Sequence, residues 1–68
     1  MELSITVNGE ARAAPAGATI ADLLDRLRLP AAKVAVERNL EIVPKSSYGA
    51  VALAEGDRIE IVHFVGGG

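Results

Sequence analysis

The chain has 68 residues, no cysteine and a formal net charge of −2. The missing thiols exclude disulfides, thiolate nucleophiles, zinc–cysteine sites and iron–sulfur clusters. The charge balance, with no basic run, argues against nucleic acid, whose binding needs clustered Lys and Arg to displace counterions. One domain of this size lies near the lower limit for folding without staples, so an apolar core must hold it. Half the residues are apolar but only 3% are aromatic, so that core is aliphatic. No apolar run approaches the roughly 20 residues that span a bilayer, and no signal-peptide pattern opens the chain, so a soluble cytoplasmic protein is expected.

In residues 2–7, Leu3, Ile5 and Val7 alternate with Glu2, Ser4 and Thr6, the period of a half-buried strand. Asn8-Gly9 is a hairpin signal, because both residues tolerate positive φ, and it predicts a returning strand over residues 10–14. Thr19-Ile-Ala-Asp22 has capping-box spacing and opens a helix. Ile20, Leu23, Leu24 and Leu27 fall on one stripe, and Pro30 is expected to end the helix. A helix of about nine residues is too short to stand alone and must bury that stripe against a sheet. Period-two alternation returns in residues 33–38, and a short strand is expected over 40–43 after a turn at Asn39. Ser46-Ser-Tyr48 reads as an irregular or 3₁₀ turn, with Tyr48 at the edge of the core, and Glu55-Gly-Asp57 as an acidic turn. The last strand covers residues 58–65, with Ile59 and Ile61 on one face and Arg58, Glu60, Val62 and Phe64 on the other.

Hairpin, helix, short strands and a final strand predict an α+β domain: a mixed sheet of four to five strands with one main helix across one face. If the final strand lies beside the first and parallel to it, this is the ubiquitin-like β-grasp. The domain is expected over residues 1–65, followed by a flexible glycine tail, 66–68. Three glycines after a core strand make a narrow thread, and ordering each costs roughly 1–2 kcal/mol. Such a thread suits a slot on another protein, although a frayed end would look the same.

Conventional chemistry is sparse. His63 is the only histidine, so it builds neither a metal site nor a Cys–His pair, and it reads as a strand residue near the sheet edge. Ser46, Ser47 and Tyr48 have no evident base. Glu37, Glu41, Glu55, Asp57 and Glu60 are scattered where carboxylates are normally solvated, and the glycines at 9, 17, 49 and 56 lack phosphate-loop spacing. No bound cofactor or metal, and no self-contained enzyme, is expected. On the final strand, either Phe64 folds over the core rim, or Val62, Phe64 and Val65 expose an apolar docking patch beside the tail.

The strand leading to Asn8-Gly9, the helix start Thr19-Ile-Ala-Asp-Leu-Leu24, Val34-Ala-Val-Glu37, Ile42-Val-Pro-Lys45, and Glu55-Gly-Asp-Arg-Ile-Glu-Ile-Val62 closing on Gly67-Gly68 resemble the ThiS family, the sulfur carriers of thiamine biosynthesis. The resemblance covers essentially the whole chain. Gly66 is an additional glycine beyond the pair that the family requires. The resemblance implies that a ThiF-type adenylating enzyme, using ATP and magnesium, activates the carboxylate of Gly68. Sulfur from a cysteine-desulfurase persulfide then gives a thiocarboxylate, which a ThiG-type thiazole synthase consumes. Gly66 and Gly67 would form the thread; Val62, Phe64 and Val65 would meet the partners; and the carrier would be a monomer when free. The four residues from Val65 reach at most about 13–14 Å, enough to enter a buried pocket. Three alternatives stay open: the molybdopterin-synthase type of sulfur carrier, a ubiquitin-like modifier, and a plain β-grasp interaction domain.

Overall fold

The computed structural model describes residues 1–64. The first alternating segment forms β1 (Glu2–Val7), and β2 (Glu10–Pro15) returns antiparallel to it, with Val7 opposite Glu10 and Glu2 opposite Pro15. Asn8 and Gly9 turn the chain with φ of 51° and 84°, the positive pair that a two-residue hairpin needs. Strand β2 runs one residue further than expected because it lies at the edge of the sheet, where proline's missing N–H leaves no gap in a ladder.

The helix α1 (Ile20–Arg26) opens with the full capping box: the Asp22 N–H donates to Thr19 Oγ1 at 3.2 Å, and the Thr19 N–H to Asp22 Oδ2 at 2.9 Å. Two further orphan donors of its first turn, the N–H groups of Ile20 and Ala21, reach the carbonyls of Val51 and Tyr48 at 3.0 and 2.8 Å. The helix therefore fastens the irregular segment before the last strand as well as packing on the sheet. It ends before Pro30 can act. Arg28 turns left-handed (φ 58°), its N–H donates to the Asp25 carbonyl, and the Leu29 N–H donates to the Leu24 carbonyl at 2.9 Å. That pair of bonds closes the helix as a Schellman motif, with Arg28 where glycine is usual.

A 3₁₀ turn (Ala31–Lys33) leads into β3 (Val34–Arg38), followed by β4 (Glu41–Val43), a second 3₁₀ turn (Lys45–Ser47) and β5 (Arg58–His63). The five strands form one sheet in the order β2-β1-β5-β3-β4. Strand β5 runs parallel to β1 through Thr6–Arg58 and Val7–Ile59, and antiparallel to β3 from Arg38–Ile59 to Val34–His63. With α1 across one face, this is the β-grasp. Ile5, Val7, Ala14, Val34, Val36, Val43, Ile59 and Ile61 bury their side chains on the helix side with Ile20, Leu23 and Leu24. Tyr48 lies inside this cluster instead of at its edge, and its hydroxyl donates to the Val34 carbonyl at 3.3 Å. No helix among the described residues is long and apolar enough to cross a membrane.

Asp57 does not sit in water, as its acidic turn suggests; it is 4% exposed. Its carboxylate accepts from Arg38 Nε at 2.8 Å, Asn39 Nδ2 at 3.1 Å and the Ala54 N–H at 2.8 Å. Burial pushes its carboxyl group up, but the bonds from Arg38, Ala54 and Asn39 and the charge of Arg38 outweigh it and hold Asp57 below its ordinary value. The stability it contributes is therefore complete above pH ~4 and disappears as the pH falls through the lowered folded-state value. Asp57→Ala is expected to lose about 2–3 kcal/mol in urea unfolding at neutral pH, because a half-open Arg38 and a buried N–H lose their acceptor. Asp57→Asn should flatten the acid side of the stability profile.

Asn39 and Leu40 turn the β3–β4 hairpin with φ of 53° and 71°. Leu40 is 75% exposed, so its side chain gains little from burial while its backbone occupies a region that L-residues avoid. Leu40→Gly should raise the unfolding free energy by about 1 kcal/mol.

Candidate functional site

Strand β5 is the root from which the last residues of the chain depart. It is bonded on both flanks, and each flank uses an asparagine from a hairpin turn. Asn8 Oδ1 accepts from the Ile61 N–H at 2.8 Å and its Nδ2 donates to the Ile61 carbonyl at 3.2 Å, continuing the β1 ladder past the end of that strand. Asn39 Oδ1 accepts from the Arg58 N–H at 2.9 Å, and the Asn39 N–H donates to the Arg58 carbonyl at 2.8 Å. The sequence marks both asparagines as turn residues. Their second role is invisible there, because it depends on which strand lies alongside.

Parity along β5 sends Ile59 and Ile61 into the core and leaves Val62 60% exposed on the opposite, helix-free face. Val62 stands opposite Ala35 of β3, and Glu60 stands opposite Glu37. Glu37 in turn faces Ile42 of β4, which is 75% exposed. The outer face thus carries the exposed apolar side chains of Val62 and Ile42, with the neighbouring carboxylates of Glu60 and Glu37 in the same cross-strand row as Ile42. Phe64 continues the line: its N–H donates to the Lys33 carbonyl at 2.8 Å, and its side chain is 55% exposed. The ammonium of Lys45 lies 5.7 Å from the centre of the Phe64 ring. The Phe64 ring is exposed and does not fold over the core rim.

Val62 and Phe64 are therefore brought together at the end of β5. Val65, Gly66, Gly67 and Gly68 lie outside the described residues. Lys45 joins Val62 and Phe64 at the Phe64 ring, and Ile42 is exposed on the same outer face opposite Glu37; the sequence singles out neither as a contact. In Glu41-Ile42-Val43, two adjacent apolar residues leave the inward one ambiguous, and only the pairing of Val43 with Val36 resolves it. His63 belongs to the central strand, not to an edge, and faces Val34. It is nevertheless exposed, because β1 has ended by that level, and it lines an open groove of about 280 Å³ with Asn8, Glu10, Arg12, Leu27 and Leu29.

The model of the ThiS family matches residues 5–68. The chain belongs to the ThiS family. It is 56% identical over 50 residues to the sulfur carrier protein ThiS of Bacillus subtilis (strain 168), covering 74% of this chain and 76% of that one. It also aligns over 66 residues with proteins named thiazole synthase from Paramagnetospirillum magneticum and Magnetococcus marinus, at 54% and 52% identity. Those alignments take in 97% of this chain but only 20% of each relative, so the chain spans one fifth of their length. The crystal structure of the thiamine biosynthesis protein ThiS from Geobacter metallireducens superposes with a TM-score of 0.82 at 30% identity, covering 97% of this chain and all of that one.

An exposed ring is not a core ring. Phe64→Ala should shift the urea unfolding free energy of this ThiS-family chain by less than about 1 kcal/mol, against the ~3–5 kcal/mol of a buried Phe→Ala change. A core-sized loss would place the ring inside the fold and remove the patch.

Proposed function

We propose that this chain is a sulfur carrier of thiamine biosynthesis whose working atom is the carbonyl carbon of Gly68. The observation that carries this reading is the ThiS-family match, which runs through the glycines to residue 68. A carboxylate resists nucleophiles because oxide is a very poor leaving group. Transfer of AMP from ATP to the carboxylate, with release of pyrophosphate, converts that oxygen into a good one. A persulfide sulfur then adds to the acyl carbon and expels AMP, and a thiol cleaves the sulfur–sulfur bond to leave a thiocarboxylate and a disulfide. ATP and magnesium belong to the ThiF-type adenylating enzyme, and the persulfide to a cysteine desulfurase. The carrier supplies a docking surface (Val62, Phe64 and, beyond the described residues, Val65) and a terminal segment, Gly66–Gly68, that any side chain would widen.

The alignments with two proteins named thiazole synthase support a ThiG-type thiazole synthase as the sulfur acceptor, and favour it over a pterin-directed enzyme. Binding should be modest and reversible, since ordering the terminal segment offsets part of the contact energy.

The test is intact mass after incubation with ATP, magnesium, a sulfur source and the activating enzyme: one oxygen of Gly68 should be exchanged for sulfur. Gly67→Val should fold normally and give no AMP, because a branched side chain adds width and restricts φ and ψ. Sulfur transfer by a chain lacking Gly67 and Gly68, or normal AMP formation by Gly67→Val, would overturn the proposal.

A further inference from the structure

Strand β4 is short, and its last pair with β3 is Val43–Val36. The start of β3 therefore has no strand beside it, and its carbonyls on that side need other donors. Lys45, two residues beyond β4, meets the Val34 carbonyl there together with the Tyr48 hydroxyl, and reaches the 3₁₀ turn before β3 as well. Its ammonium donates to the carbonyls of Val34 at 2.7 Å, Ala31 at 3.2 Å and Ala32 at 3.3 Å. Three protons meet three acceptors, which fixes the end of an otherwise free side chain.

The same ammonium faces the ring of Phe64 at 5.7 Å. Phe64 is held independently through its backbone, by the bond from its N–H to the Lys33 carbonyl. The residue is thus constrained at both ends: the main chain by β3, the ring by a charge that three carbonyls keep in place. A ring that is half exposed would otherwise sample several rotamers, and each contact it made would first have to order it. The cation over its face selects one arrangement.

We propose that Lys45 is a positioning residue for partner recognition, fixing the Phe64 ring on the outer face of the sheet so that the adenylating enzyme meets a preformed apolar anchor. This rests on the reading of the chain as a carrier activated through its terminal carboxylate. Lys45 touches no reacting atom. Its effect is on encounter and docking, and it passes through Phe64.

The experiment uses the full chain in five forms: wild type, Lys45→Met, Lys45→Arg, Phe64→Leu and the double variant Lys45→Met/Phe64→Leu. In wild type a nuclear Overhauser contact should link the Phe64 ring protons to the ε-methylene of Lys45. Carrier-dependent AMP formation should show KM for the carrier raised about fivefold in Lys45→Met, with kcat within about twofold. Lys45→Arg, which keeps the charge, should recover most of the loss. In the Phe64→Leu background the Lys45→Met change should add almost nothing, since there is no ring left to place. Unfolding curves for each variant confirm that all are folded at the assay temperature. No ring–methylene contact in wild type, an unchanged KM in Lys45→Met, or the full Lys45→Met loss persisting beside Phe64→Leu would each overturn the proposal. Failure of wild type itself to be adenylated would overturn the carrier reading, while the Overhauser contact would still decide the placement of the ring.

Discussion

The sheet and the exposed face at its C-terminal end both depend on how firmly β5 is held. It is the central strand, bonded to β1 on one side and β3 on the other, and its inward residues Ile59 and Ile61 are buried in the core. Where β1 runs out, the amide of Asn8 takes over the ladder at Ile61; where β3 turns, Asn39 does the same at Arg58. Both asparagines can serve because each already sits at positive φ in a two-residue hairpin. The turn that reverses the chain and the side chain that locks the neighbouring strand are one residue in each case.

A strand held in this way separates two tasks along a single backbone. Its inward parity stabilises the domain, and its outward parity presents Val62 and, one step further, Phe64. Because the helix covers only one face, the second face is left to water, and apolar side chains there contribute little to folding. Their placement beside the root of the terminal segment is what makes the outer face a docking surface in the carrier reading. The buried Asp57, bonded to Arg38 and Asn39, ties the turn before β5 to the β3–β4 hairpin and keeps the start of that strand in register.

The contact between Lys45 and Phe64 shows how a local shortage becomes a constraint on a remote surface. Strand β4 is too short to satisfy the start of β3, and the lysine that fills the gap brings a fixed charge to the one aromatic ring on the outer face.

Local patterns were enough to mark most of the elements and most of their faces. Alternation in residues 2–7 and 58–65 (of which the strand β5 takes 58–63), the Asn8-Gly9 turn, the Thr19–Asp22 capping box and the leucine stripe of α1 are local signals, and each was legible because period and turn chemistry act over a few residues. The resemblance carried by its ordered motifs led to the ThiS family. The folded chain supplied the rest: the order β2-β1-β5-β3-β4, the early Schellman stop at Arg28, the burial of Asp57, the outward side of Ile42 and the contact of Lys45 with Phe64. Those features join residues distant in sequence or turn on which neighbour reaches an unpaired group first. Such competition is settled by packing in three dimensions, and no local pattern records its outcome.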